Sequence, residues 1–415
     1  MTGTPPASRP LHVALLTAEY PPTRGGVGDY TACLARALAR QAARCSVVTS
    51  YLPGQRRERR PFDPYVCPAI PRWDWASWRH LVALLRDLRP DVVHLQYQTG
   101  AFGMHPAVNL LPLALGAAGI GPFVVTFHDL KEPYLFRGAG RLRPLANTLL
   151  RRFADAVVVT NDDDRARVRH ANVRQIPIGS NIEPVELDAA GRLETRGRLG
   201  LGRDALAVGY FGFVNEWKGV DTLVAAFRSL LDSRPDARLV FVGGARREGA
   251  AGSWAFEAGL RRQLEAEPFR GRVVRTGFAE ADEISRYLQA VDVVALPFVE
   301  GASYRHGTLA AAIAHGRPIV TTRPRRQDAH RDDGLPRLVD RENVRLVPPG
   351  DPAALAAALA ELADRPQLRA HLAAGAAALA PRFGWEAIAR QTRELYETLL
   401  GRAQPYGAPA VILAG

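Results

Sequence analysis

The sequence predicts an α/β protein of two tandem domains, each built on a parallel sheet. Short Val-rich apolar runs alternate with longer amphipathic segments, the pattern of βαβ units. That series occurs twice, on either side of a polar, turn-rich stretch at 183–204 that reads as a linker. The 415 residues exceed one ordinary domain and suit two. The expected organisation is an N-terminal domain over 1–182, the linker, a C-terminal domain over 205–384, a last helix over 385–400 and a tail over 401–415.

In the first domain, strands are expected at 11–17, 46–50, 92–96, 123–127 and 156–160, with helices at 28–40, 77–88 and 143–153. In the second, strands are expected at 207–211, 238–242, 273–276, 291–296, 318–322 and 344–347, with helices at 220–231, 281–289 and 308–314. Two Ala-rich helices follow at 352–363 and 366–379. Each has Pro at or near its first turn, where the missing N–H has no intrahelical partner to lose. The last helix carries a stripe at Ile388, Thr392, Leu395 and Leu399. Open parallel sheets take ligands at the carboxyl ends of their strands. Chemistry is therefore sought in the loops that follow strands, and two such sheets facing each other enclose a cleft.

Composition narrows the class. The apolar fraction of 47% and charged fraction of 23% suit a soluble globular protein. No apolar run is long enough for a spanning helix, and residues 1–10 lack the apolar core of a secretory signal. Cys33, Cys45 and Cys67 are too few and scattered for a disulfide framework or zinc site. They read as buried structural thiols, and a cytoplasmic location is expected. The net charge of +12 is uneven: residues 1–180 hold 23 Lys and Arg against 13 Asp and Glu. Either this reflects plain arginine usage, or it marks an acidic partner: an anionic membrane surface, a phosphorylated acceptor or nucleic acid. Nucleic acid is disfavoured, because the basic run at 56–60 has few interleaved aromatics. Trp73, Trp75 and Trp78 read as packing or as the wall of an acceptor site.

Four segments carry candidate chemistry. In LHVALLTAEYPPTRGGVGDY a strand is followed by Gly25 and Gly26 at a helix start, which lets backbone N–H groups approach an anion or simply makes a tight turn. In VVTFHDL, His128 stands just past a buried strand, as a reactive group or a structural one; His94, inside a strand run, is the weaker candidate. In YFGFVNEWKGVD, Lys218 precedes a helix and is placed to bind phosphate, unless it is an ordinary surface lysine. In VALPFVEGASYRHGTLAAAIAHGRPIVTT, Glu300 lies in the loop after a strand, and Gly307-Thr308 opens an apolar helix. That helix start suits a diphosphate and Glu300 suits sugar hydroxyls. A plain βαβ unit needs no cluster of Glu300, Arg305 and His306.

The motifs PPTRGGVGDY, TFHD, FGFVNEWKG and LPFVEGASYRHGTLAAAIAHGRPIVTT, with IPIGSNI between the second and third, resemble glycosyltransferase family 4 in order and separation over about residues 11–400. This is the retaining family with the GT-B fold of two Rossmann-like domains. The resemblance implies that the active site lies in the cleft and that the last helix packs back on the first domain. It implies a nucleotide-diphosphate sugar as donor, bound by the second domain, and no cofactor or metal ion. Lys218 is then expected on the diphosphate and Glu300 on the donor sugar. Gly301, Ala302 and Ser303 line that loop, and amides at Thr308 and Leu309, after Gly307, hold phosphate. Gly25 and Gly26 close over the donor, and His128 lies near the acceptor and the reacting carbon.

The sequence departs from the family pattern twice. Phe213 follows Gly212 where many members carry an Arg that grips the diphosphate, and Thr308 stands where many carry a second Glu that binds ribose. Arg305 is the candidate substitute for the missing Arg, the alternative being that it points to solvent or pairs with a nearby Asp or Glu. The acceptor is unnamed by sequence; a lipid-linked or cell-envelope glycan at the inner membrane face fits the basic first domain. The alternative function is an inactive GT-B homologue acting as a binding or scaffold subunit.

Overall fold

The computed structural model describes residues 9–23, 25–51, 64–134, 140, 143–214, 218–243, 251–325 and 335–401. The chain divides into two compact units. One comprises residues 1–160, 164–176 and 385–415; the other comprises 161–163 and 177–384.

The first unit holds β1 (His12–Leu16), α1 (Gly26–Arg40), β2 (Arg44–Ser50), β3 (Tyr65–Ile70), α2 (Trp78–Leu88), β4 (Val92–Tyr97), α3 (Leu111–Ala117), β5 (Phe123–Phe127), α4 (Arg143–Phe153) and β6 (Ala156–Val159). After α5 (Asp162–Arg167) comes β7 (Val173–Gln175). The strands form one sheet in the order β3-β2-β1-β4-β5-β6-β7, and every pairing is parallel. Leu15, Leu16, Val93, Leu95, Val125 and Phe127 are buried within it, as a sheet covered on both faces requires.

The second unit holds α6 (Ala189–Arg198), β8 (Ala207–Phe211), α7 (Val220–Ser233), β9 (Arg238–Val242), α8 (Ala251–Glu265), β10 (Val273–Arg275), α9 (Ala281–Ala290), β11 (Val293–Leu296), α10 (Gly307–Ala314), β12 (Ile319–Thr322), β13 (Arg345–Val347), α11 (Pro352–Asp364) and α12 (Pro366–Phe383). Its parallel sheet runs β10-β9-β8-β11-β12-β13. Each unit is therefore a Rossmann-like domain, and the pair is the GT-B fold.

The last helix, α13 (Trp385–Leu399), belongs to the first unit. Ile388, Thr392, Leu395 and Tyr396 are its buried stripe. Arg40 pairs with Glu386 at 2.9 Å, and Arg393 donates to the Gln41 carbonyl at 2.7 Å, which ties α13 to the end of α1. Trp385 meets Tyr30 of α1 edge-on at 5.2 Å.

Several expectations need correction. The stretch at 183–204 is not a plain linker, because it contains α6. Asp188 caps that helix through the Gly191 N–H at 2.8 Å. The buried Arg196 guanidinium bonds Asp292 and the carbonyls of Ala290, Gly202 and Ala205. A face anchored by a cation leaves no apolar stripe to read. Residues 177–182 also group with the second unit rather than the first. Strand β3 escaped notice because Pro68 interrupts it. As an edge strand paired only with β2, it tolerates a residue with no N–H. The short helices α3 and α5, the helix α8 and the three-residue edge strand β7 also went unread. Cys33, Cys45 and Cys67 are buried. No described helix is long and apolar enough to cross a membrane. The basic run at 56–60 and the tail from 402 lie outside the described residues.

Candidate active site

In a doubly wound sheet, ligands bind where the strand order reverses, because the loops there diverge and leave a crevice. In the second unit that point lies between β8 and β11. The loop after β8 leads through Gly212 and Phe213 to Lys218. The loop after β11 runs through Pro297 and Phe298 to Glu300 and on to α10. Topology alone thus brings two of the four candidate segments together.

Side-chain hydrogen bonds hold the loop after β11. Thr321 and Thr322 of β12 donate to the carbonyls of Leu296 and Phe298 at 2.7 and 2.8 Å. The Gly301 N–H bonds the Phe298 carbonyl, and Tyr304 donates to the Pro336 carbonyl at 2.7 Å. On the other loop, the Tyr210 hydroxyl donates to the Phe213 carbonyl at 3.0 Å, and the Phe213 ring is exposed. Gly212 lies against the Thr308 methyl group.

The charged groups cluster. Arg305 forms an ion pair with Glu300. The Lys218 ammonium stands 5.2 Å from the centre of the Phe298 ring. Burial first, then the neighbouring Arg305, pull Lys218 down to about 8, with Glu300 as a partial offset. His306, the N-cap of α10, stacks on the same Phe298 ring at 3.8 Å. Burial first, then Lys218 and Arg305, hold its imidazole well below the usual range, so it is neutral. Two buried polar atoms here have no partner among the described residues: His306 Nδ1 and Thr308 Oγ1. An orphaned buried polar atom loses hydration without compensation, so this pair beside two cations is available to water or to a polar ligand.

Not every expected group is available. Ala302 is buried in the core, and its N–H bonds the Thr322 carbonyl at 3.2 Å. The Leu309 N–H turns back to the His306 carbonyl at 2.9 Å, and its side chain is fully buried. Both N–H groups are thus engaged within the chain. The Gly307 and Thr308 amides belong to the first turn, where an α-helix leaves N–H groups without intrahelical partners. Ser303 is half-buried beside them, its hydroxyl 3.5 Å from the Arg305 N–H.

In the first unit the strand order reverses between β1 and β4. The loop after β1 leads to Gly25, the N-cap of α1, and to Gly26, which has open space around it. The expected anion at this helix start meets a carboxylate of the chain itself. Glu19 lies over Gly25 so closely that a Cβ there would stand 1.9 Å from Glu19 Oε2. His128 follows β5, half-buried, its Nε2 3.1 Å from Gln96 Oε1 and its ring 4.6 Å from Tyr30 of α1. Burial lowers it to about 3, so the imidazole is neutral. With Nε2–H donated to Gln96, Nδ1 is the basic nitrogen. His94 is structural: it is buried, 2.5 Å from the Tyr396 hydroxyl and 2.7 Å from that of Thr126. Trp73 also packs the core, donating to Ser50 at 3.0 Å, whereas Trp75 is exposed.

Phe298, Glu19, Gln96 and Tyr30 were missed as site-forming residues. Gln96, buried and polar beside His94 in the Val-rich strand β4, was the one legible signal. Among the described residues, no group of three or more His, Cys, Asp or Glu is placed to hold a metal ion.

Comparison with known proteins gives the same picture as the fold. Residues 24–183 match the family model described as Glycosyltransferase Family 4, and residues 204–365 match Glycosyl transferases group 1. The chain is 27% identical to the D-inositol 3-phosphate glycosyltransferase of Streptomyces scabiei, over 94% of this chain and 91% of that one. It is 29% identical to the phosphatidyl-myo-inositol mannosyltransferase of Mycobacterium leprae, over 82% and 79%. Anabaena Alr3699/HepE in complex with UDP-glucose superposes with a TM-score of 0.67 at 21% identity, covering 94% of this chain and all of that one. With both of its domains matched in tandem by the family's own models, this chain belongs to the group 1 glycosyltransferases of family 4.

Proposed function

We propose that the protein is a retaining, metal-independent glycosyltransferase that takes its sugar from a nucleoside diphosphate sugar held on the second unit. The observation that carries this is the grouping of Lys218, Arg305, His306 Nδ1 and Thr308 Oγ1 at the start of α10. A leaving diphosphate gains charge as the glycosidic bond breaks. Preorganised cations and helix-terminal N–H groups at that point supply what a metal ion supplies elsewhere. Phe213 carries no charge, so Lys218 and Arg305 meet the phosphates. HepE, holding UDP-glucose on the same fold, supports this donor class. Glu300 faces the sugar hydroxyls, and the neutral His128 of the first unit serves the acceptor side.

The two relatives are named for D-inositol 3-phosphate and phosphatidyl-myo-inositol. An acidic, phosphate-bearing acceptor, free or in an anionic membrane surface, fits the basic first half of this chain. The protein is read as working at the cytoplasmic face of that membrane.

The test is a thermal-shift screen with UDP, GDP, ADP and dTDP, followed by hydrolysis and transfer of the matching donor sugars in the presence of EDTA. Stabilisation by one nucleotide and EDTA-resistant turnover with retained anomeric configuration are expected. A nucleotide that binds without any donor turnover supports the inactive homologue instead. Inversion of configuration or loss of turnover with EDTA overturns the corresponding part.

A pH dependence follows from Lys218. Its ammonium is charged below about pH 8 and lost above it. Bound phosphate favours the charged form, so nucleotide affinity should fall about tenfold per pH unit above 8, until the higher pKa of the complex is reached. Calorimetry from pH 7 to 9.5 checks this, and a flat profile removes Lys218 from the phosphate.

A further inference from the structure

Arg305 and Glu300 raise a conflict within the donor site. A guanidinium that is to grip a phosphate already has a carboxylate, and the carboxylate that is to meet the sugar is engaged by that guanidinium. Carboxylate and phosphate are equivalent partners for the planar fork of an Arg, each offering two oxygens to paired N–H donors. We infer that Glu300 is an internal stand-in for donor phosphate on Arg305, and that nucleoside diphosphate binding exchanges one anion for the other. The exchange frees Glu300 for the sugar. This deepens the donor assignment above and rests on it.

The surroundings make the exchange both feasible and coupled. The pair is reachable, with 31% of the Arg305 side chain and 48% of Glu300 exposed. Exposed pairs of this kind are weakly held. Among the described residues, the Arg305 guanidinium has no second partner that would hold it if Glu300 left. Glu300 cannot simply swing away, because Arg305 and the half-buried Lys218 then face each other as like charges beside the neutral His306. A phosphate entering from solvent satisfies both cations and the orphaned Thr308 hydroxyl. Carboxylate departure and phosphate arrival are thereby linked. The carboxylate is set free when a donor is present to receive it.

Under this exchange, removing the charge of a site residue should tighten nucleotide binding. With the full-length chain and whichever of UDP, GDP, ADP or dTDP binds best, Glu300→Gln should bind the free nucleotide about two- to fivefold more tightly, the worth of an exposed ion pair. Turnover of the matching nucleotide sugar should fall in the same variant. Arg305→Ala should bind the nucleotide at least about tenfold more weakly, as loss of a charge-assisted contact implies. In the Arg305→Ala background, Glu300→Gln should leave affinity unchanged. Unaltered melting temperatures establish that the variants are folded. If Glu300→Gln binds nucleotide as the wild type does, or more weakly, the exchange is overturned while the donor assignment stands. If the wild type binds none of the nucleotides, the donor assignment fails and the inference falls with it.

Discussion

Lys218→Ala is expected to lower donor turnover by about two to three orders of magnitude while leaving the fold intact, the usual effect of removing one group that stabilises transition-state charge. The ammonium sits at the start of α7 beside the Phe298 ring, in the unit that carries Arg305 and the free end of α10. Such a position costs stability. Burial and the neighbouring Arg305 disfavour the charged form, which is what pulls its pKa from 10.5 to about 8. Because the folded value lies below the unfolded one, the penalty is fully present below about pH 8. It is relieved as pH rises from 8 toward 10.5. The alanine variant should therefore melt at the same temperature as the wild type or higher at pH 7, and the two should converge at high pH. Steady-state kinetics with paired thermal melts checks both halves. A normal rate removes Lys218 from the reaction, and a sharply lowered melting temperature makes it a structural residue.

Gly219→Ala should abolish nucleotide binding through geometry rather than charge. Gly219 caps α7 with φ +70°, a left-handed conformation that costs an L-residue about 1–2 kcal/mol. The larger obstacle is space. A Cβ at this position would stand 1.9 Å from the Pro297 carbonyl oxygen, so one of the two backbones must move. Lys218 is the residue before the glycine, and Glu300 lies three residues beyond Pro297. Separating these segments takes apart the cation and the carboxylate together. A loss of about 5–10 °C in melting temperature is expected for a few kcal/mol in a unit of this size. Gly200→Ala is the control: Gly200 also has positive φ (+65°), but nothing lies within 4 Å of its added Cβ. It should show a smaller melting shift and normal nucleotide affinity. Unchanged affinity in Gly219→Ala would mean that the contact with Pro297 does not position the site.

The limits of sequence reading can be placed on particular residues. Central strands were legible because both faces are buried, which makes them continuous apolar runs such as Val293–Leu296. Edge strands are under no such demand, so β3 accepts Pro68 and β7 is three residues of mixed character. Helix α6 was hidden because Arg196 holds it through hydrogen bonds and an ion pair, which leave no periodic apolar signature. At the site, glycines and the charged residues next to strand ends were visible as types in order. Lys218, Glu300, Arg305 and His128 could be named on that basis. Their partners could not.

Local periodicity and turn residues, written along the chain, make the two parallel-sheet domains and the four candidate loops legible. The return of the last helix was implied by the family resemblance. Which groups meet is settled by folding in three dimensions. Strand order set β8 beside β11, so two loops about 85 residues apart share one end of a sheet. Burial then sorted the named residues, placing Ala302 and Leu309 in the core and leaving His306 Nδ1 and Thr308 Oγ1 without a partner among the described residues. The Arg305–Glu300 pair and the lowered Lys218 pKa come from distances and desolvation. These exist only once the chain has folded and water has been excluded from the spaces between side chains.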